Sequence, residues 1–596
     1  MTHIFSSLRN IALAAAAALT LAGCRDFLEI KPRDQVTEDN FWNEKTDIDQ
    51  MVAGCYNAMQ SEGFINNCIV WGESRSDNLY PTDNLDSKEY NLYQIMRENL
   101  LPSNPYTKWI NFYDVINKAN AIIEMAPLVS QRDPAFRQSD VKAIIAEMTA
   151  LRSLCYFYLI RTFDEVPFYR QAIQEEQDVQ YLPATPFTQV LDNIIADLEA
   201  VRGDAIVHYP AYDQTDAIGG LYYTTANRIT RTAIDAMLAE MYLWQGNYPK
   251  SVEAADRVIA QKHADFEEEY SHTTSMTTSI PQLITAPNGT QIELYQVTTN
   301  SPSLVHNAIF GGNGNSFESI FELAFTYRGS GSFIENTAFG RLYGEHKAKE
   351  SNNGAGFLTP NPDIIAEMSS KSYNFWLNQY DARFYNNIET TEKYADGKVR
   401  KGVASSFNVT SLSGNALPFD NTRSSAFSIP SYQNRNFIFY RLTDIMLIKA
   451  EALVMQATDE DSETNAELLR KAFDLVYLVN ARSCTNRTSY LSATRPYARQ
   501  RNQLRQLIRD ERNRELMYEG KRWFDLLRYA RQEGSPAVVR AIVGSKVSSG
   551  AGGGSFPSMD ALFWPYNKDE IRVNPNLHQK SIYAKDDESN YSSGNE

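Results

Sequence analysis

Few residues in this chain are arranged to make or break bonds. Seven histidines (3, 208, 263, 272, 306, 346 and 578) are spread over 596 residues, and no two fall at the helical spacing that lets a pair share a metal. There is no P-loop, HExxH, EF-hand loop or GxSxG turn. No CxxC occurs, so no zinc site is expected, and nothing calls for a cofactor. Carboxylates abound, yet no pair stands out as a glycosidase couple. The densest charge run is Arg509-Asp510-Glu511-Arg512-Asn513-Arg514-Glu515. On a helix Asp510 reaches Arg514 at i,i+4, and Glu519 reaches Arg522 at i,i+3. That pattern reads as an ion-pair lattice joining helix ends, in preference to an acid–base site. What the chain does offer is aromatic and amide surface, which suits a sugar: the CH-rich side of a pyranose packs on a ring while its hydroxyls find Asn, Asp, Arg or Gln. Two stretches combine these types. One runs from Trp71 to Tyr93 and holds Asp77, Asn78, Tyr80 and Tyr90; the other runs from Phe310 to Tyr343 and holds Asn313, Asn315, Tyr327 and Arg328.

The elements that must position them are helices. In 141–161, Ile144, Ile145, Met148, Leu151, Cys155, Tyr158 and Leu159 recur at steps of three and four, which makes one apolar face. Residues 106–125, 186–200, 229–260, 440–457, 464–482 and 500–531 carry helical pattern too. Leu238-Ala239, Tyr242, Gly246 and Tyr248 match part of a tetratricopeptide turn, in which a small residue lets two helices approach. No clean 34-residue period continues, so the repeat is degenerate. Residues 262–360 and 394–436 turn to Ser, Thr, Asn and Gly, lose the helical period and read as loop-rich insertions. The stretch from Ala561 to Tyr583 reads as extended.

The first residues set the compartment. Arg9 precedes an apolar run from Ile11 to Ala22, long enough for a signal h-region and too short for a span. The run closes in Leu21-Ala22-Gly23-Cys24, which resembles a bacterial lipobox. Residues 1–23 are then a cleaved signal peptide, Cys24 carries a diacylglycerol and an acylated (palmitate-like) amine, residues 24–50 form the lipidated tether, and 51–596 form one α-helical domain. Two or more acyl chains make a stable anchor. Asp26 and Glu29 follow, and acidic residues there resemble a lipoprotein surface-export signal. A formal charge of -16 argues against nucleic acid, which needs a cationic footprint. Of the remaining cysteines, Cys155 reads as a buried small hydrophobe, while Cys55 and Cys68 are the pair left open to bridge.

Several segments together resemble one family, the SusD/RagB outer-membrane lipoproteins of Bacteroidetes. They are Cys24-Arg25-Asp26-Phe27-Leu28 with Phe41-Trp42; Trp109-x3-Tyr113-x2-Ile116-x2-Ala119-Asn120; Glu147-x3-Leu151-Arg152-Ser153 closing with Val166-Pro167; Arg441-x2-Asp444-Ile445; Arg509 to Leu526; and Glu570-Ile571-x2-Asn574-Pro575. Trp564-Pro565-Tyr566 departs from the Pro-Ile-Pro that the family often has. The resemblance implies an all-α fold, a tetratricopeptide-like helix-pair scaffold with long irregular loops forming the ligand face. It implies a non-enzymatic cell-surface protein that binds an oligosaccharide, or in the RagB branch a peptide, and delivers it to a SusC-like TonB-dependent transporter by a lid motion. It also places family ligand sites in the two aromatic–polar stretches. Trp42, Trp109, Trp244, Trp523 and Trp564 fall at motif or repeat positions and read as core, as do Phe321 and Trp376. Trp71, Asp77, Asn78, Tyr80, Tyr93, Asn313, Tyr327 and Arg328 are the candidate ligand residues.

Overall fold

The computed structural model describes residues 41–584, apart from 83–88, 175, 210–225, 271–279, 299–302, 312–313, 326, 329–331, 334, 345–355, 371, 373, 379, 392–393, 400–405, 408–426, 429–434, 459–461, 486–490, 492–499 and 549–555. The signal, Cys24 and most of the tether lie outside the described residues.

Helices dominate. The N-terminal half holds α1 (Lys45–Met59), α2 (Glu62–Glu73), α3 (Tyr90–Met96), α4 (Ile110–Arg132), α5 (Gln138–Phe163), α6 (Phe187–Val201), α7 (Arg231–Gln245) and α8 (Tyr248–Tyr270). After a loop-rich middle with short helices α9 (Leu304–Phe310), α10 (Thr337–Tyr343), α11 (Pro362–Ser370) and α12 (Ala382–Asn387), the chain returns to α13 (Leu442–Gln456), α14 (Glu463–Ser483), α15 (Arg501–Leu516), α16 (Arg522–Glu533), α17 (Ala537–Ser548) and α18 (Lys568–Val573). Neighbours in sequence pack as pairs, α4 on α5, α7 on α8 and α13 on α14, and α8 in turn packs on α13. This is the helix-pair scaffold expected.

Local chemistry sets the boundaries. Ser61, Thr230 and Ser462 cap α2, α7 and α14 by accepting from backbone N–H groups three residues on, a contribution of about 1 kcal/mol each. Gly246 ends α7 in the left-handed region at φ 82° and lets the chain double back into α8. The pattern over 500–531 is two helices, because Met517–Lys521 breaks it with Tyr518 and Gly520 both at positive φ. The α5 helix is long and apolar enough to cross a bilayer, but it lies almost wholly inside the protein, packed between α4 and α6.

The middle is not structureless. Among the described residues it forms two-stranded antiparallel hairpins: β1 (Gln282–Thr285) with β2 (Gln291–Leu294), β4 (Tyr327–Arg328) with β5 (Ser332–Phe333), β6 (Ile388–Thr391) with β7 (Tyr394–Val399), and β8 (Ser406–Phe407) with β9 (Phe427–Ser428). β3 (Ser319–Leu323) pairs with β10 (Phe437–Arg441), Phe437 opposite Leu323, and both strands are buried throughout. The expectation of an extended C-terminal piece is corrected: 568–573 is helical, because Asn567 caps it through Asp569 N.

Two apolar clusters form the core, a larger one along α1–α8 and a second around α13, α14, β1 and β2. Trp42, Trp109, Trp244, Trp376, Trp523, Trp564 and Phe321 are all buried. Cys55 and Cys68 are buried free thiols and form no bridge, as is Cys155. Burial pushes the Cys55 thiol up to about 12, so it stays protonated.

The charge run is a buried lattice, with partners other than those the helical spacing suggested. Arg441 donates to Glu515 (2.5 Å) and Glu519 (2.8 Å); Arg482 reaches Glu318 (2.5 Å) and Glu515; Arg383 joins Asp381, Glu511 and Glu515. Arg512 holds Asp444 and Asp525, and Arg528 holds Glu451. Arg514 pairs with Glu511 and Arg522 with Asp77. The guanidinium groups hold the Glu515 carboxyl well below the usual range despite its burial.

Candidate functional site

The first aromatic–polar stretch follows α2. The helix ends at Glu73, and residues 74–78 turn across its end. Asn78 donates to Glu73 Oε1 (2.9 Å) and Asn513 Oδ1 (2.9 Å), which fixes the turn from below. The chain is then stitched to a distant segment: Tyr80 N donates to Thr359 O (3.0 Å), Asn361 N to Asn78 O (2.8 Å), and Asn361 Nδ2 to Asp77 O (2.9 Å). Thr359-Pro360-Asn361 therefore presents Tyr80 at the surface, where it is half-buried.

The second stretch arrives through α10, which packs on α2. Its Arg341 pairs with Glu89 at the start of α3 and stands 3.6 Å from Glu62. The guanidinium lies 5.7 Å from the centre of the Phe357 ring. Tyr90, the first residue of α3, is 56% exposed. The two stretches thus meet at the Arg341–Glu89 pair beside Tyr90, and the 357–361 segment, whose Phe357 N donates to Arg341 O, links that pair to the turn carrying Tyr80; together they make the candidate face. Ring faces beside guanidinium, carboxylate and amide groups suit a polyhydroxylated ligand, which needs both.

Not every candidate belongs to that face. Trp71 is fully buried, stacked on Phe112 at 4.8 Å, with its ring nitrogen donating to Tyr106 O (2.8 Å). Asn78 is fully buried with both amide hydrogens committed, and Tyr93 is buried with its hydroxyl accepting from Arg97 (2.6 Å). These three are corrected to core and scaffold, since no ligand reaches a side chain the protein already covers. Asp77 is held in a bidentate pair by Arg522 (2.8 and 2.9 Å), so its acceptors are engaged. Tyr327 and Arg328 form a backbone hairpin with Phe333 and Ser332, and their side chains lie outside what is described. Asn313 lies outside the described residues. Sequence reasoning missed Glu89, Arg341, Phe357 and Asn361. The Thr359-Pro360-Asn361-Pro362 run, a fixed-turn signal inside a loose region, was the available clue.

With the geometry in place, comparison with known proteins gives the family. Residues 317–583 match the model described as the SusD family, and residues 26–243 match a model described as starch-binding associating with outer membrane. The chain belongs to the SusD/RagB family. Among similar proteins, SusD-like protein P38 of Formosa agariphila is 22% identical over 586 residues, covering 96% of this chain and 99% of its own. SusD-like protein P2 of the same organism is 24% identical over 86% of this chain and 88% of its own. A SusD superfamily structure from Bacteroides vulgatus overlays with a TM-score of 0.61 at 16% identity, covering 91% of this chain and 99% of that one. A laminarin-binding SusD-like protein overlays with a TM-score of 0.58 at 19% identity, covering 91% of this chain and all of that one. At such identities the overlays establish the SusD-like fold, and the hydrogen-bonded lattice around Glu515 falls inside the matched C-terminal region.

Proposed function

We propose that this SusD-like protein is a lipid-anchored cell-surface binder that captures an oligosaccharide and delivers it to a SusC-like TonB-dependent transporter. The observation that carries the reading is the candidate face with Tyr80 and Tyr90, two tyrosines inside the region that matches the starch-binding, outer-membrane description, supported by Arg341 and the 357–361 segment from the SusD-family match. Cys24 in its lipobox supports the anchor. Binding of laminarin by a structural relative supports a glycan as ligand class. The mechanism is capture without chemistry: rings stack on sugar faces, the Arg341–Glu89 pair offers its remaining donors and acceptors to hydroxyls, and tethering raises effective concentration so that modest affinity suffices.

Calorimetric titration of the protein with laminarin, starch and a panel of other polysaccharides tests this. Binding of at least one glycan is expected, weakened about tenfold, or about 1.4 kcal/mol, by Tyr80→Ala and by Tyr90→Ala. Silence across the panel, with peptides co-purifying in mass spectrometry, would replace the glycan by a peptide as in the RagB branch.

A further inference from the structure

Away from Tyr80 and Tyr90 the surface carries a second feature. A groove of about 260 Å³ opens between the start of α4, the 167–181 segment and the α18 stretch. Its rim gathers exposed hydrophobic side chains: Ile110 (65%), Val179, Tyr181 (48%) and Val573 (60%). Scattered apolar residues are ordinary on a surface, whereas a cluster around a concavity marks a contact site. Most polar groups along the groove are already engaged, the Gln171 amide and Tyr181 hydroxyl at its exposed rim apart. Asn117 accepts from Ile173 N (2.7 Å) and donates to Ile173 O (2.9 Å), Tyr113 donates to Pro167 O (2.7 Å), Tyr169 to Gln180 O (2.7 Å), and Asn574 to Leu182 O (2.8 Å). A sugar would gain few hydrogen bonds here; an apolar segment would gain a dry wall.

We propose that this groove seats the chain's own N-terminal segment, through Phe27, Leu28 and Ile30. Residues 25–40 are mostly charged or polar, and these three are their apolar knot. The chain enters the fold at the far end of α4, where Arg132 donates to Trp42 O (2.8 Å) and Lys45 N donates to Asp133 (3.0 Å). At ~1.5 Å per residue, Asn117 lies about 22 Å and Ile110 about 33 Å back along α4 from Arg132. Eleven extended residues from Phe41 to Ile30 span about 36 Å, so the knot reaches the groove. The way is marked by Leu128, 45% exposed, which lies three turns from Asn117 on the same side of α4. A groove of about 260 Å³ takes a few side chains. On the reading that Cys24 is lipidated, seating leaves only Arg25 and Asp26 between anchor and body. The groove side then faces the bilayer, where an unseated tether of residues 25–40 would let the body stand off by about 50 Å.

The test is crosslinking. The four remaining cysteines are buried and silent, so the chain from residue 24 onward, carrying Cys24→Ala, receives Leu28→Cys with Val573→Cys, or Leu28→Cys with Leu283→Cys on β1 as control. Mild oxidation followed by peptide mapping is expected to give an intrachain 28–573 disulfide at least tenfold faster than 28–283. Equal rates, no bond, or bonds only between copies overturn the proposal, the last assigning the groove to a second copy. As an independent measurement, Phe27→Asp combined with Leu28→Asp is expected to raise fluorescence of a hydrophobic dye at unchanged melting temperature. Unchanged fluorescence overturns it too. Both readouts use a protein without lipid, so they stand apart from the anchor itself, which mass spectrometry of Cys24 from cell membranes checks directly.

Discussion

Glu73 offers a sharp test of how burial and charge are balanced beneath the ligand face. It is the last residue of α2, fully buried, and its Oε1 accepts from Asn78 Nδ2 and, at 3.4 Å, from Tyr518 N. Its Oε2 has no hydrogen-bond partner among the described residues. Burial raises its carboxyl to about 7, with nearby Asp77 pushing the same way. Also within electrostatic reach are Tyr343, Tyr518, the Arg522 backbone N–H, which works against the rise, and Lys546, which burial lowers to about 8 and which donates to Ser74 O and Ser76 O. An acid whose pKa is higher in the folded state binds more protons there than when unfolded. Its contribution to stability is therefore complete below about 4.5 and is lost as pH rises to about 7. A rise from 4.5 to about 7 is worth up to about 3 kcal/mol. Glu73→Gln keeps the acceptor for Asn78 and removes the charge. Denaturant midpoints for parent and variant are expected to agree near pH 4.5 and to diverge above it, the variant gaining up to about 3 kcal/mol by pH 8. A variant less stable than the parent at pH 8, or a difference that does not change with pH, would refute this reasoning.

Three further outcomes are expected. Trp71→Ala should cost about 3–5 kcal/mol through an unfilled core cavity, read by chemical denaturation, whereas Tyr80→Ala should shift stability by less than ~1 kcal/mol and act on glycan binding alone. Glu515→Gln leaves Arg383, Arg441 and Arg482 without their shared anion and should cost about 3–5 kcal/mol. Because Glu515 sits below its usual value when folded, that contribution is present above about 4.5 and fades as pH falls, the opposite slope to Glu73. Gly72→Ala should lower the melting temperature sharply, since a Cβ there would overlap the Gly520 carbonyl oxygen where α2 crosses the 517–521 turn.

What could be read from the sequence tracks which forces are local. The apolar recurrence from Ile144 to Leu159 placed α5, and Gly246 placed the α7–α8 turn, because helical period and left-handed backbone are written within a few residues. The ion-pair lattice was legible as a lattice, but its partners were not. Arg441, Arg482 and Arg383 reach Glu515 from distant segments, and i,i+4 arithmetic sees only one helix. The same limit shaped the site. The structure joins the two aromatic–polar stretches through Arg341 and Glu89, yet residue type alone does not separate Trp71 and Asn78 from Tyr80. Their burial is decided by Phe112 and Asn513, far along the chain.

That division also bears on what the fold tolerates. The overlaid SusD-like structures share only 16–19% identity with this chain and still cover 91% of it with the same fold. Helix-pair packing tolerates swaps of similar volume, whereas a buried guanidinium and its carboxylates cannot change singly without stranding a charge. In this chain Arg522 carries that constraint out to the candidate face: its bidentate hold on Asp77 fixes the turn that Asn361 stitches in place ahead of Tyr80. The rigid charge seam thus ends at Asp77, three positions before the half-buried Tyr80 whose turn it supports.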